Sequence, residues 1–157
     1  MIELELVGVR VELPHNQPIV LLKERTGERF LPIWIGAVEA TSIAFALQGV
    51  VTARPMTHDL MRDLLANLQV VVDRIVVTEL REGTFYAEIQ MTQDGQAVVV
   101  SSRPSDAIAL AVRATVPIYA NEAVLAEAGI EIEDDEEDEV ERFKEFLDNV
   151  TPEDFRE

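Results

Sequence analysis

The chain has no cysteine among its 157 residues. That excludes a disulfide scaffold, a thiolate zinc site and a cysteine nucleophile. It has two histidines, His15 and His58, so a multi-histidine metal site cannot form within one chain. Cations are scarce: thirteen Lys and Arg stand against thirty Asp and Glu, a formal charge of −17. Non-specific nucleic-acid affinity comes mostly from cations on phosphates, so this balance argues against a passive DNA-coating protein. No uninterrupted run of about 18 apolar residues is present, and no membrane span or membrane partner is expected. Met1-Ile2-Glu3-Leu4-Glu5 lacks a basic region followed by an apolar run and does not read as a signal peptide. The cytoplasm is the expected compartment. Gly36, Gly49, Gly83 and Gly95 are too scattered for GxGxxG or a P-loop, and HExxH and GxSxG are missing.

What is present suffices for one domain. Hydrophobic residues make up 48% of the chain, enough to bury a full core and too many for disorder throughout. The charge is uneven. Residues 1–128 carry sixteen acids and ten bases; residues 129–157 carry fourteen acids and three bases. We read 1–128 as a core domain and 129–157 as an acidic tail. Nine acids fall between Glu131 and Glu141, a run that repels itself and stays solvated. Beyond it Val140, Phe143, Phe146, Leu147 and Val150 recur near helical spacing until Thr151-Pro152 stops the pattern. The tail is either a nucleic-acid mimic or docking segment, or a solvating extension whose short helix covers its own domain or a sister subunit.

The core reads as β-β-β-α-α-β-β-β-α-β-α. Residues 2–13 alternate with period two, and Gly8 marks a bulge. Strands are expected over Ile19–Glu24 and Arg29–Ile35. Ala37–Leu47 reads as a buried helix closed by Gly49. Thr57 is placed as the N-cap of a helix from His58 to about Gln69, with Leu60, Met61, Leu64, Leu65 and Leu68 inward. Strands follow at Val70–Leu80, Thr84–Thr92 and Ala97–Val100, the last two joined by the hairpin signal Asp94-Gly95. A helix opens between Ser102 and Asp106 and runs to about Ala114. A short strand, Val116–Tyr119, precedes a helix capped by Asn121. Strand runs and helices are segregated, which argues for an α+β fold, mostly antiparallel, with room for one mixed strand.

Chemistry-bearing residues cluster at two junctions, Arg54-Pro55-Met56-Thr57-His58-Asp59 and Arg103-Pro104-Ser105-Asp106. Each sets an arginine just before a helix, then a hydroxyl and a carboxylate in its first turn. Helix N-termini offer unpaired N–H groups and a positive dipole end, so Arg54, Arg103, Thr57 and Ser105 are candidate phosphate ligands. The same residues also suit plain capping, with Asp59 and Asp106 answering the dipole. His58 is the one imidazole placed for proton transfer. Glu39, in an apolar helix, needs a partner; Arg54, Arg103, or Mg²⁺ or Mn²⁺ shared with Asp59 and Asp106 would serve. We expect Arg54 and Arg103 to meet at Glu39, with His58 or Asp106 at the same cleft.

Taken together, Pro32-Ile33-Trp34-Ile35-Gly36, Glu39-Ala40, Arg54-Pro55, Thr57-His58-Asp59-Leu60, Arg103-Pro104-Ser105-Asp106-Ala107-Ile108-Ala109-Leu110-Ala111 and Pro117-Ile118-Tyr119 resemble the bifunctional nuclease domain family, in order and with its spacings over residues 2–128. The resemblance implies a compact α+β domain, a homo-oligomer, and DNase and RNase activity. Two functions stand side by side. One is a nuclease, with catalytic His58, Asp59, Glu39 and Asp106, a metal on the three carboxylates, and nucleic acid as substrate. The other is a non-catalytic binding or regulatory module that uses its arginine and helix-N-terminus pockets to hold anions.

Overall fold

The computed structural model describes residues 1–12 and 16–131. His15, the acidic run beyond Glu131 and the 140–150 helical pattern lie outside the described residues. Eight strands and four helices follow the expected order, with a two-residue strand added at the end. They are β1 (Ile2–Glu12), β2 (Gln17–Glu24), β3 (Arg29–Trp34), α1 (Ala37–Gln48), α2 (Thr57–Asn67), β4 (Val71–Arg81), β5 (Thr84–Gln93), β6 (Gln96–Ser102), α3 (Pro104–Ala114), β7 (Ile118–Ala120), α4 (Glu122–Ala128) and β8 (Ile130–Glu131).

The strands form one sheet in the order β6-β5-β4-β7-β1-β2-β3-β8. All pairs are antiparallel except β4 with β7, where Ile75, Val76 and Val77 face Ile118, Tyr119 and Ala120 in parallel. The parallel pair follows from connectivity, since the β5–β6 hairpin and α3 lie between the two strands and return the chain in its original direction. Local chemistry sets the turns. Glu82-Gly83 and Asp94-Gly95 all take positive φ, between 51° and 76°, as two-residue hairpin loops require. The β1–β2 register shifts between Leu6 and Gly8, the bulge expected there. Gly49 closes α1 in the left-handed region at φ 69°, and Val50 N–H reaches back to the Phe45 carbonyl.

The core lies on one face of the sheet. Leu4, Val20, Leu22, Leu31, Ile33, Ile75, Val77, Phe85 and Ile89 meet Ile43 of α1, Ile108 and Leu110 of α3, and Val124 and Leu125 of α4. Burial on α1 is narrower than its composition suggests: Ala40 and Ile43 are its buried residues, because it covers the core as a surface layer against α3. The inward set expected for α2 is corrected in a similar way. Met61 and Leu65 pack on the core, whereas Leu60, Leu64 and Leu68 are exposed. At four-residue spacing these three leucines form one row on a helix. The helix spends its other face on α3, so the row points to solvent.

Candidate active site

Three helix N-termini converge. α1 supplies Glu39 and Ser42, α2 supplies His58, and α3 supplies Arg103 at its N-cap and Asp106 three residues on. Their side chains form a continuous chain of hydrogen bonds. Ser42 Oγ lies 2.6 Å from His58 Nδ1, and His58 Nε2 lies 2.9 Å from Asp106 Oδ1. Arg103 Nε donates to Asp106 Oδ2 at 3.0 Å, and its terminal nitrogen donates to Glu39 Oε1 at 2.6 Å. Val38, Thr41, Met56 and Thr57 complete the wall of a pocket of about 320 Å³ with Glu39, Ser42, His58, Arg103 and Asp106.

Each position has a local cause. Pro104 starts α3 at N1, where its fixed φ suits the helix and its missing N–H is no loss. The extended Arg103 backbone just before it leaves the guanidinium free to reach both carboxylates. The Glu39 carboxylate folds over Gly36, where an added Cβ would collide with it. His58 is buried on α2. An ionised carboxylate only accepts, so Asp106 fixes the ring proton on Nε2 of the neutral imidazole. Nδ1 then accepts from the Ser42 hydroxyl. Burial alone would push the Asp106 carboxyl up, but hydrogen bonds from Arg103 and His58 outweigh it, and the group titrates below the usual aspartate range. Asp106 and Glu39 in turn raise the Arg103 guanidinium.

Asp59 belongs to a second cluster behind the first. Its Oδ2 accepts the Met56 N–H at the start of α2, and its Oδ1 accepts from Arg113 Nε at 2.7 Å. That bond holds the Asp59 carboxyl below the usual range. Arg113 also donates to the Ser42 carbonyl at 3.0 Å and to the Ala109 carbonyl at 3.0 Å. One guanidinium therefore ties α1, α2 and α3 together. The two cations differ in setting: the Arg113 side chain is 6% exposed and that of Arg103 is 51% exposed.

Other expectations are revised. Met56, not Thr57, is the N-cap of α2; Thr57 is the first helical residue and lines the pocket. Ser105 is wholly buried and does not line the pocket. Arg54 does not join Arg103 at Glu39. It is exposed and makes no side-chain hydrogen bond or ion pair among the described residues, while its carbonyl accepts from Thr52 Oγ1. The carboxylate trio also separates, because Glu39 and Asp106 share Arg103 whereas Asp59 faces Arg113. Among the described residues no group of three or more His, Asp or Glu side chains is arranged to hold a metal ion. As placed, Glu39, Asp59 and Asp106 do not come together as the shared three-carboxylate set expected for Mg²⁺ or Mn²⁺.

Ser42 and Arg113 were not singled out from sequence. Helical spacing carried a signal for both: Ser42 follows Glu39 by three and Arg113 follows Asp106 by seven, each on the face of its predecessor.

The sequence profile of the bifunctional nuclease domain matches residues 20–133. The chain belongs to the bifunctional nuclease domain family. An uncharacterized protein of Mycobacterium tuberculosis is 51% identical over 163 residues, covering 98% of each chain. Bifunctional nuclease 2 of Arabidopsis thaliana is 28% identical over 124 residues, which are 77% of this chain and 37% of the plant protein. Bifunctional nuclease 1 of Oryza sativa subsp. indica is 24% identical over 127 residues, 79% of this chain and 38% of the relative. The chain thus spans well under half the length of these plant members of the bifunctional nuclease family. Among the described residues no helix is long and apolar enough to cross a membrane.

Proposed function

We propose that this chain hydrolyses phosphodiester bonds of RNA or DNA at the pocket shared by α1, α2 and α3. The observation that carries the reading is the orientation of His58, held between Ser42 and Asp106 on the wall of a pocket that also presents Arg103. Water adds to phosphorus while its proton passes to His58 Nδ1 through the Ser42 hydroxyl. The imidazolium so formed is stabilised by Asp106 and returns the proton, through the Ser42 hydroxyl, to the ester oxygen as its bond to phosphorus breaks. Arg103 faces the charge that develops on the phosphoryl oxygens, and Glu39 sets its direction. Arg54, uncommitted and two residues from Met56, recruits the substrate phosphate, with Thr57 beside it.

A homo-oligomer belongs to the same proposal. Met56, Leu60, Leu64 and Leu68 form an exposed apolar row on α2 that starts at the pocket rim. A second copy of the chain would bury it, and light scattering on the Leu64→Asp variant tests this by loss of the assembly.

One observation weighs against a phosphate in this pocket, whether cleaved or merely bound, and makes the recruiting role of Arg54 necessary in either reading. Arg103 already faces two carboxylates, so with His58 neutral the pocket keeps net negative charge. The deciding experiment is a nuclease assay on rigorously repurified protein, with and without EDTA, beside His58→Ala and Asp106→Asn variants checked for folding. Cleavage that survives EDTA and disappears in folded variants supports hydrolysis at His58. Cleavage unchanged in His58→Ala, or absent from the purified parent, leaves the binding module.

A further inference from the structure

The sheet has a second apolar patch on the face away from the helices. Cross-strand partners share a face, so the pairs Ile19↔Trp34, Leu21↔Pro32 and Lys23↔Phe30 lie together, opposite Val20↔Ile33 and Leu22↔Leu31 of the core. Ile19, Leu21, Phe30 and Trp34 are only 1–7% exposed. The buried aliphatic side chains of α1, α3 and α4 all belong to the core cluster on the other face. This patch is therefore buried without any of those helices over it.

We propose that residues 140–150 of the same chain dock as an amphipathic helix across the outer face of β2 and β3. The described chain ends at β8, whose Glu131 and Ile130 pair with Arg29 and Phe30 at the edge of β3, beside the patch. Eight residues lie between Glu131 and Val140, and the nine steps from one to the other reach about 30 Å when extended. Crossing from β8 to β2 takes two strand spacings, about 10 Å. An eleven-residue helix is about 16 Å long, enough to span β3, β2 and part of β1. Val140, Phe143, Phe146, Leu147 and Val150 give that helix one apolar face. By register the outer face carries Glu3, Glu5 and Glu88 beside Arg10, Lys23 and Arg74, so the docking rests on the apolar match and the reach of the chain rather than on charge. The pocket lies among the helices on the opposite side, so this docking is independent of the proposed hydrolysis.

Trp34 is the one tryptophan of the chain, so its fluorescence reports on the patch alone. In the full-length Phe143→Asp/Phe146→Asp variant its emission should shift to the red and its quenching by acrylamide should rise several-fold, with far-UV circular dichroism of the core retained. Unchanged quenching in a folded variant overturns the proposal. The cysteine-free background supplies a second measurement that does not depend on that variant folding. Lys23→Cys combined in turn with Phe143→Cys and Phe146→Cys should give a disulfide within one chain on oxidation, while Leu64→Cys combined with Phe146→Cys should not. Disulfides formed only between chains would assign the patch to a sister copy and overturn docking in cis, and so would the absence of any cross-link.

Discussion

The two arginine–proline junctions are built to the same local plan and end in different places. Each opens a helix with a buried residue at the second helical position, His58 or Ser105, and an aspartate at the third, Asp59 or Asp106. At the second junction the arginine is itself the N-cap and turns onto its own aspartate and onto Glu39. At the first, Pro55 and Met56 separate Arg54 from the helix, and the aspartate is taken by Arg113 from the far end of α3. An offset of two residues thus decides whether an arginine is spent on a carboxylate or left in solvent. The result is one buried clamp, one cation at the pocket wall and one cation at large.

The clamp should be the costliest to break. Arg113→Ala leaves Asp59 and the Ser42 carbonyl without their donor, and loss of one partner from a buried pair costs about 3 kcal/mol or more. Chemical denaturation should show this as a drop in midpoint, and a drop no larger than that of Arg103→Ala would erase the distinction between the two cations.

Acid should act next, and mainly through the same carboxylates. Asp59 and Asp106 titrate below their ordinary values in the folded chain, under the influence of Arg113 and of Arg103 and His58 respectively, and so does Glu24 of β2, whose Oε1 accepts from Arg29 Nε at 2.6 Å away from the pocket. A carboxylate depressed on folding adds stability that is fully present above its unfolded pKa, about 4, and is lost as pH falls through the lower folded value. Melting temperature should therefore hold down to about pH 4 and fall below it. In Arg113→Ala the acid-side slope should be shallower, because the Asp59 contribution is already gone.

The smallest effects on stability belong to the two junction arginines themselves, and there the contrast becomes functional. Arg103→Gln removes a half-exposed pair and should cost about 1 kcal/mol or less, yet lower kcat in the nuclease assay. Arg54→Gln should change stability by less than about 0.5 kcal/mol and raise KM instead. Equal kinetic losses in both variants would mean that the junctions are equivalent after all.

Much of the frame was legible because its causes are local. Gly49 and Asp94-Gly95 each carry their own φ/ψ requirement, Gly8 interrupts the alternation where the register shifts, and period-two and period-3.6 patterns mark the strands and helices around them. The convergence of Glu39, His58, Arg103 and Asp106 was legible in outline, since helix starts attract charge and an acid on an apolar helix needs a partner. What was misread depended on packing. Leu60, Leu64 and Leu68 look like core in a one-dimensional pattern, yet α2 has one face to spend and α3 takes it. Arg113, seven residues past Asp106, gives no motif of its own.

The sequence by itself determined the element order, the turns, the family and which side chains stand at helix N-termini, because those depend on neighbours a few bonds away. Tertiary structure alone decided who pairs with whom. His58 meets Asp106 across 48 positions, and Arg113 reaches the Ser42 carbonyl across 71. Such partners are selected by how three helices settle on one sheet. That arrangement is fixed by shape and burial summed over the whole core, which no local run of residues encodes.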